Sequence, residues 1–348
     1  MRVLYGVMGD ARGHLTRARC VAEALPEADI LFVGGGRVDE LKALGFPVEP
    51  VPMAATRYRG TRVALGATLS TGLGVLLGAS SVVQRLAQVM RRFDPDLILS
   101  DYELFVPRAA RRLRRAAVSL DHQHVLTHCR LEPPAGTLLS RILTVTLVRT
   151  LYGGCARHIV TSFFPAPARA PAQTDVFGPL VRAAARRQES RDGDHVLVYQ
   201  TSPCFEPWLS TFARLGRPVR LYGMPPRADQ GLLSFRSFSD QGFLADLASC
   251  AYVVCNGSHG LLSEAFFLGK PVLALPLRLA YEQRVNADQL ARLGLGEAHD
   301  IRRLSLQKLT AFESRLDQYR ARVRGRRTDD GGALAVRLRE LARQRPSA

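Results

Sequence analysis

The 348-residue sequence predicts an α/β protein in which two Rossmann-like domains face each other across a central cleft. Three observations carry that prediction. Short apolar runs alternate with amphipathic stretches in both halves, as expected of parallel strands covered by helices on both faces. Four prolines, Pro165, Pro167, Pro171 and Pro179, then interrupt the pattern and disfavour both helix and central strand. Beyond them the alternation restarts, and the chain has enough residues for two domains of roughly 150 each.

The elements follow in order. A strand over 2–7 runs into the turn Gly9-Asp10-Ala11-Arg12-Gly13, and a helix extends from about 14 to 25. A strand over 30–33, a short helix over 38–44 and a strand over 46–51 come next. Helical periodicity resumes over 82–93, where Asp94-Pro95 stops it, and 97–101 reads as a buried strand ending in an acid. A helix over 105–113, a strand over 117–120, a helical stretch over 134–152 and a strand over 157–161 complete a first domain at 1–165. A linker at 166–180 leads to a second domain at 181–332. There, strands at 195–199, 219–222, 252–255 and 272–275 alternate with helices at 205–215, 243–248, 260–268 and 282–293, and 233–235 reads as a short edge strand. A last helix over 333–346 is expected to cross back and complete the first domain.

Composition narrows the setting. Six cysteines are scattered without a close pair, which fits reduced thiols better than a disulfide scaffold or zinc module. The first residues read as a strand and not as a signal peptide, so a cytoplasmic protein is expected. The stretch from Val63 to Val83 carries no charge and is long enough to span a bilayer. Its many Gly, Ala, Ser and Thr residues favour two other readings, a buried helix or one that meets lipid. The formal net charge of +17 comes mostly from arginine. Solvated helix faces explain it, and so does an anionic membrane surface or polyanionic substrate. No zinc module, helix-turn-helix or aromatic-interleaved basic strand supports nucleic-acid binding.

Three segments can carry chemistry. Around Gly6, Gly9, Gly13 and His14, glycines at a strand–helix junction leave helix amides open to a ligand. The spacing is not GxGxxG, and the ribose-binding acid of a dinucleotide site is missing. His14 falls in the first helical turn at the sheet's C-terminal edge, where a helix N-terminus opposes protonation and favours a base. An exposed or capping histidine is the alternative. Asp101 reaches the same edge and either orients His14 or caps the following segment. In the second half, Gly257-Ser258-His259-Gly260 joins a strand to a helix, and its amides form a seat for a diphosphate. Glu264, one turn on, either accepts two ribose hydroxyls or complements the helix dipole. A third segment brings Glu282 and Gln283 to the same edge, where they can bond sugar hydroxyls, with Asn286 bracing them. His122, His124 and His128 follow Asp121, but strand alternation would put His122 and His124 on opposite faces. No metal site is therefore expected, and substrate contact by His122 or Gln123 is preferred.

Together these segments resemble glycosyltransferases of the two-Rossmann-domain (GT-B) type. The resemblance rests on Gly257-Ser258-His259-Gly260 with Ser263-Glu264-Ala265, on Gly269-Lys270-Pro271, and on Glu282-Gln283 with Asn286-Ala287. It is strongest to the MurG-like peptidoglycan branch and the glucuronosyltransferase-like enzymes. Gly9-Asp10, Arg12-Gly13-His14 and Arg17 resemble their acceptor-half loop. Ser100-Asp101-Tyr102-Glu103, Asp121-His122-Gln123-His124 and Phe177-Gly178-Pro179-Leu180-Val181-Arg182 resemble a little-characterised bacterial and archaeal subgroup.

The resemblance implies His14 as base, Asp101 as its support, Glu264 on the ribose and the Gly257–Gly260 loop on the diphosphate. It also implies Gln283 on the donor sugar and Phe238 against the nucleobase. Asn256 and His259 depart from it, standing where glycine and a small hydroxyl residue are usual. The implied reaction is inverting transfer from a nucleotide-diphosphate sugar, with uridine the expected base, to a hydroxyl acceptor. No cofactor is implied, and no DxD-type acid pair stands in the donor half to hold a metal. A lipid-linked or cell-envelope acceptor, with peripheral contact to an anionic membrane, would suit the uncharged stretch followed by Arg85, Arg91 and Arg92. The alternatives are a nucleotide-sugar 2-epimerase, which needs more converging carboxylates than this chain offers, and a non-catalytic nucleotide-sugar-binding regulator.

Overall fold

The computed structural model of the chain describes residues 1–200, 204–326 and 328–344; positions 345 and 346 of the expected terminal helix lie outside the described residues. Two parallel sheets organise it. The first contains β1 (Arg2–Val7), β2 (Asp29–Gly34) and β3 (Val48–Pro50). A small antiparallel ribbon, β4 (Tyr58–Arg59) and β5 (Arg62–Val63), stands apart. The first sheet continues with β6 (Leu97–Asp101), β7 (Val118–Asp121), β8 (Arg157–Thr161) and β9 (Thr174–Phe177). Its strand order is β3-β2-β1-β6-β7-β8-β9.

The second sheet is built from β10 (Val196–Tyr199), β11 (Val219–Tyr222), β12 (Leu233–Arg236), β13 (Tyr252–Cys255), β14 (Val272–Ala274) and β15 (Gly296–Ala298). Its order is β12-β11-β10-β13-β14-β15. The strands are near-continuous apolar runs because helices cover both faces, and β6, β7 and β13 are buried at every position. Strand order reverses between β1 and β6 in one sheet and between β10 and β13 in the other. Crevices at the carboxyl ends of such switch points are where open α/β sheets bind ligands. Register brings Val7 beside Asp101 in the first sheet and Tyr199 beside Cys255 in the second.

The ribbon β4–β5 and the edge strand β15 have no counterpart in the sequence reading, and three further segments differ from it. Within the expected 166–180 linker, β9 is the edge of the first sheet, paired with β8. The prolines flank it without entering it, so a short strand is free to form. The crossing between halves narrows to the residues after Phe177, where the Gly178 amide donates to Asp330 and the Val181 amide to Asp329 (3.0 Å). The uncharged stretch is two helices, Leu65–Leu77 and Ala79–Phe93, bent by 58° at Gly78. Among the described residues, no single helix is long and apolar enough to cross a membrane. The 134–152 stretch forms a helix at Leu138–Leu151.

The helix Gly331–Gln344 returns to the first sheet. Leu334, Leu338 and Leu341 repeat at helical spacing and pack with Leu15, Val21 and Ile30 in one buried cluster. The two halves are therefore linked at both the outgoing and the returning crossing.

Candidate active site

Both switch points open onto one cleft. Behind β1, Gly9 packs so tightly that a Cβ there would lie 1.8 Å from the Gly35 carbonyl oxygen. That approach aims the helix Arg12–Ala24 at the second half. Behind β13, Gly257 adopts φ +83°, the left-handed region that glycine enters without strain. It turns the chain into the helix His259–Phe267, with Ser258 at the N-cap and its side chain not used for capping. The two helix N-termini meet head to head, and a Cβ on Gly260 would touch the Gly13 Cα at 3.5 Å. First-turn amides have no partner within a helix, so the cleft receives two sets of donors and two positive dipole ends. The cavity has a volume of about 210 Å³ and is lined by Arg12, Gly13 and Thr16 on one side and by Ser258, Gly260 and Glu264 on the other.

His14 and Asp101, paired on sequence grounds, are in contact. His14 Nδ1 donates to Asp101 Oδ1 at 2.7 Å, which leaves Nε2 as the ring's acceptor. Arg17, one turn further along the same helix face, grips the same carboxylate through Nε and Nη2, each at 2.7 Å. All three side chains are buried. Burial opposes the Arg17 charge, but Asp101 outweighs it and raises the guanidinium above its ordinary value. Asp101 thus faces a full countercharge, a feature its residue type alone does not reveal. Tyr102 follows at φ +52° and stacks on Tyr152 with centroids 3.7 Å apart, forming an aromatic wall beside His14.

The donor-side residues are distributed less evenly. Glu264 lines the cleft but is already held by Arg182, Nε to Oε1 at 2.6 Å and Nη2 to Oε2 at 2.8 Å. Arg182 also reaches Asp240 at 3.0 Å, and Arg19 from the first half pairs with the same aspartate. Phe238 lies in the cleft with the Arg12 guanidinium 3.7 Å above its ring, so a base stacking there meets that cation or displaces it. His259 turns its ring away from the cavity and stacks on His122 at 3.9 Å, leaving its amide as the group able to face a phosphate. Burial, then His122 and Arg17, push its pKa well below the ordinary histidine value.

Gln283 uses its side-chain oxygen to accept from the Leu277 amide (3.0 Å), and Glu282 accepts from Gln123 of the first half (3.0 Å). Asn286, expected to brace these two, instead braces the Gly257 loop. Its Nδ2 donates to the Gly257 carbonyl at 3.1 Å, and its Oδ1 accepts from His122 Nε2 at 2.8 Å.

The histidine segment corrects a premise. β7 ends at Asp121, so 122–124 form a turn and Val125–His128 a single helical turn, and strand alternation does not apply. His122 goes to the domain interface. His124 and His128 converge instead with His158 of β8, a residue the sequence reading did not single out. Arg17, Arg182 and Asp240 were likewise missed as site residues; the available signal was that buried Asp101 and Glu264 each needed a countercharge.

Two parallel α/β units whose switch points face one cleft have the architecture of the GT-B class of transferases. Residues 1–317 match glycosyl transferase family 1, and the chain belongs to that family. It is an enzyme that uses a nucleotide-sugar donor. The UDP-N-acetylglucosamine–N-acetylmuramyl-(pentapeptide) pyrophosphoryl-undecaprenol N-acetylglucosamine transferase of Nitratidesulfovibrio vulgaris strain Hildenborough is 24% identical over 394 aligned residues, covering all of both chains. Among solved structures, the glycotransferase of kitacinnamycin superposes with a TM-score of 0.74 at 17% identity, covering 99% of each chain. Phytolacca americana UGT2, complexed with UDP-2fluoro-glucose and pterostilbene, gives 0.70 at 14% identity, covering 99% of this chain and 98% of its own.

Proposed function

We propose that this glycosyltransferase moves a sugar from a nucleoside diphosphate, with uridine the preferred base, to a hydroxyl acceptor with inversion at the anomeric carbon. The observation that carries this reading is the approach of two helix N-termini at one cleft, one bearing the buried His14–Asp101 pair just behind the lining residues Arg12 and Gly13, the other presenting Ser258 and Gly260. His14 Nε2 takes the acceptor hydroxyl's proton, and the oxygen attacks the anomeric carbon from the face opposite the diphosphate. The C1–O bond to phosphate breaks, and the developing charge falls on amides at two helix N-termini. Those amides do the work a divalent cation does elsewhere, so the transfer needs no added Mg²⁺ or Mn²⁺. Gln283 and Glu282 reach sugar hydroxyls, Glu264 accepts from the ribose, and Phe238 supports the base.

A lipid-linked acceptor fits the surface of the first half. The helix Leu138–Leu151 turns Leu138 (69% exposed), Leu139, Ile142, Leu143 and Leu147 to solvent as one stripe. Arg141 and Arg149 lie on the same helix, the combination that seats a helix at an anionic interface. The acceptor named for the Nitratidesulfovibrio enzyme carries an undecaprenol lipid, which points the same way.

The test is turnover of the purified full chain against a panel of nucleotide sugars with lipid-linked and soluble acceptors. The expected result is product of inverted anomeric configuration, at equal rates with and without added Mg²⁺ or Mn²⁺. A retained configuration, or dependence on either ion, would overturn the mechanism. Failure to float with anionic vesicles at low salt would overturn the lipid-surface assignment.

A further inference from the structure

Outside the cleft, the first half holds three imidazoles that sugar transfer does not use. His124 lies in the turn after β7, His128 closes the helical turn Val125–His128, and His158 stands in β8. One nitrogen from each ring lies within 4.8 Å of the other two. The His128 and His158 rings face each other with centroids 3.6 Å apart, and His124 sits 4.9 Å from His158 and 5.2 Å from His128. None of the three lines the substrate cavity.

What surrounds the rings is as informative as their convergence. Every Nδ1 is already engaged from behind. His124 donates to Asp121 Oδ2 (2.6 Å), His128 bonds Thr127 Oγ1 (2.9 Å) and His158 bonds Ser119 Oγ (2.8 Å). The Nε2 atoms are the ring nitrogens that these bonds leave over. His124 is 1% exposed, and its Nε2 is buried without a hydrogen bond of normal geometry, although the Tyr152 backbone lies close enough to favour a proton on the ring. A buried polar atom left that way costs on the order of 1–3 kcal/mol, which a ligand at that nitrogen would offset. An imidazole fixed by a carboxylate on one nitrogen, with its other nitrogen free, is how proteins orient histidine toward a metal.

We propose that His124, His128 and His158 bind one zinc ion through their Nε2 atoms, with Asp121, Thr127 and Ser119 orienting the rings and water in the fourth position. Three imidazole nitrogens suit a divalent transition metal, which displaces the His124 proton that Asp121 favours, and not calcium or magnesium, which take oxygen ligands. Zn–N bonds of about 2.0–2.1 Å put tetrahedral nitrogens roughly 3.3 Å apart, so the nitrogens close by up to about 1.5 Å, and the His128 and His158 rings must also rotate out of their stacked arrangement for both lone pairs to meet one ion. His128 is half-buried at the solvent edge and supplies both the entry path and the ring that swings. The site would be structural. It clamps the turn that carries His122 to Asn286 and Gln123 to Glu282, the hydrogen bonds that join this edge of the first half to the second.

The experiment uses the full chain without a histidine tag, stripped with chelator and titrated with zinc chloride against a chromophoric competitor. Elemental analysis gives the stoichiometry, and circular dichroism confirms folding of every variant. One zinc per chain is expected, together with a higher melting temperature in zinc and a four-coordinate cobalt spectrum on substitution. His128→Ala, at the half-buried position, and His158→Ala should each abolish uptake, and Ser119→Ala should weaken it about tenfold. His299→Gln, at a partly buried histidine of the second half paired with Glu297, should bind as the unaltered chain does. A folded protein that takes up neither zinc nor cobalt at micromolar free metal overturns the proposal. So does uptake unchanged in folded His128→Ala, whether or not His158→Ala folds.

Discussion

Arg182 and Glu264 form a two-point ion pair at the donor end of the cleft, with both side chains almost wholly excluded from solvent. The carboxylate expected to receive a ribose is therefore pre-oriented, since two of its lone pairs are used and the others remain for hydroxyls.

The first prediction separates these roles. Glu264→Gln keeps the shape and removes the charge, and should raise the donor KM roughly 10- to 100-fold through weakened charge-assisted hydrogen bonds, with kcat changed less. Arg182→Ala strands a buried carboxylate and should cost about 3–5 kcal/mol of stability, seen as a lowered denaturation midpoint. An unchanged donor KM in Glu264→Gln would remove this residue from the ribose site.

His14, Asp101 and Arg17 yield the second. His14→Ala should lower kcat by about 10²–10⁴-fold while donor affinity, measured by calorimetry, stays within about twofold. Arg17→Gln removes the countercharge of a fully buried aspartate, so it should behave first as a folding variant and lose about 3–5 kcal/mol. Turnover unaffected by His14→Ala would assign the base elsewhere.

Most strands of both sheets were legible in the sequence because buried parallel strands are continuous apolar runs bounded by glycine turns, whereas strand order and the three-residue edge strand β15 were not. The His14–Asp101 contact was legible too, since both follow adjacent strands to one edge. Countercharges were not. Arg17 and Arg182 belong to an arginine-rich sequence in which most such residues are solvated, and burial, which sets these two apart, is a tertiary property. The β9 strand hid between prolines that argued against any strand near it. His158 escaped notice because its partners are about 30 positions away in the chain and meet it only through β7–β8 pairing.

The third prediction concerns pH. Glu103 is buried and accepts from the Phe105 and Val106 amides. Desolvation outweighs those bonds, and the nearby Arg108, and lifts its pKa to about 7. Tyr152 packs in the same cluster and feels the Glu103 charge, but burial keeps its hydroxyl neutral in this range. The folded state therefore binds this proton more tightly than the unfolded chain does. The Glu103 contribution is complete below pH 4.5 and is lost as pH rises toward 7, with a ceiling of about 3 kcal/mol. Glu103→Gln should flatten that loss. Denaturant melts at pH 5 and 8 would show it, and an equal pH slope in both proteins would exclude Glu103 as the source.

The last prediction tests how the halves communicate with the donor loop. Asn286 joins three things with one amide: its own helix, the Gly257 carbonyl at 3.1 Å and His122 Nε2 of the first half at 2.8 Å. Gly257 holds a left-handed φ, and a Cβ there would come within 3.1 Å of the Gln283 carbonyl, so the loop has little freedom once that amide is in place. Removing Asn286 frees the Gly257 carbonyl and cuts the tie to the acceptor half in one step. Asn286→Ala should thus weaken donor binding, and His122→Ala should do so less, because it leaves the Gly257 bond intact. Residues sharing one hydrogen bond are not additive, so the double variant should fall short of the summed losses by about 0.5–3 kcal/mol in donor binding free energy. Additivity within about 0.3 kcal/mol would mean that the two halves hold the donor independently of this contact.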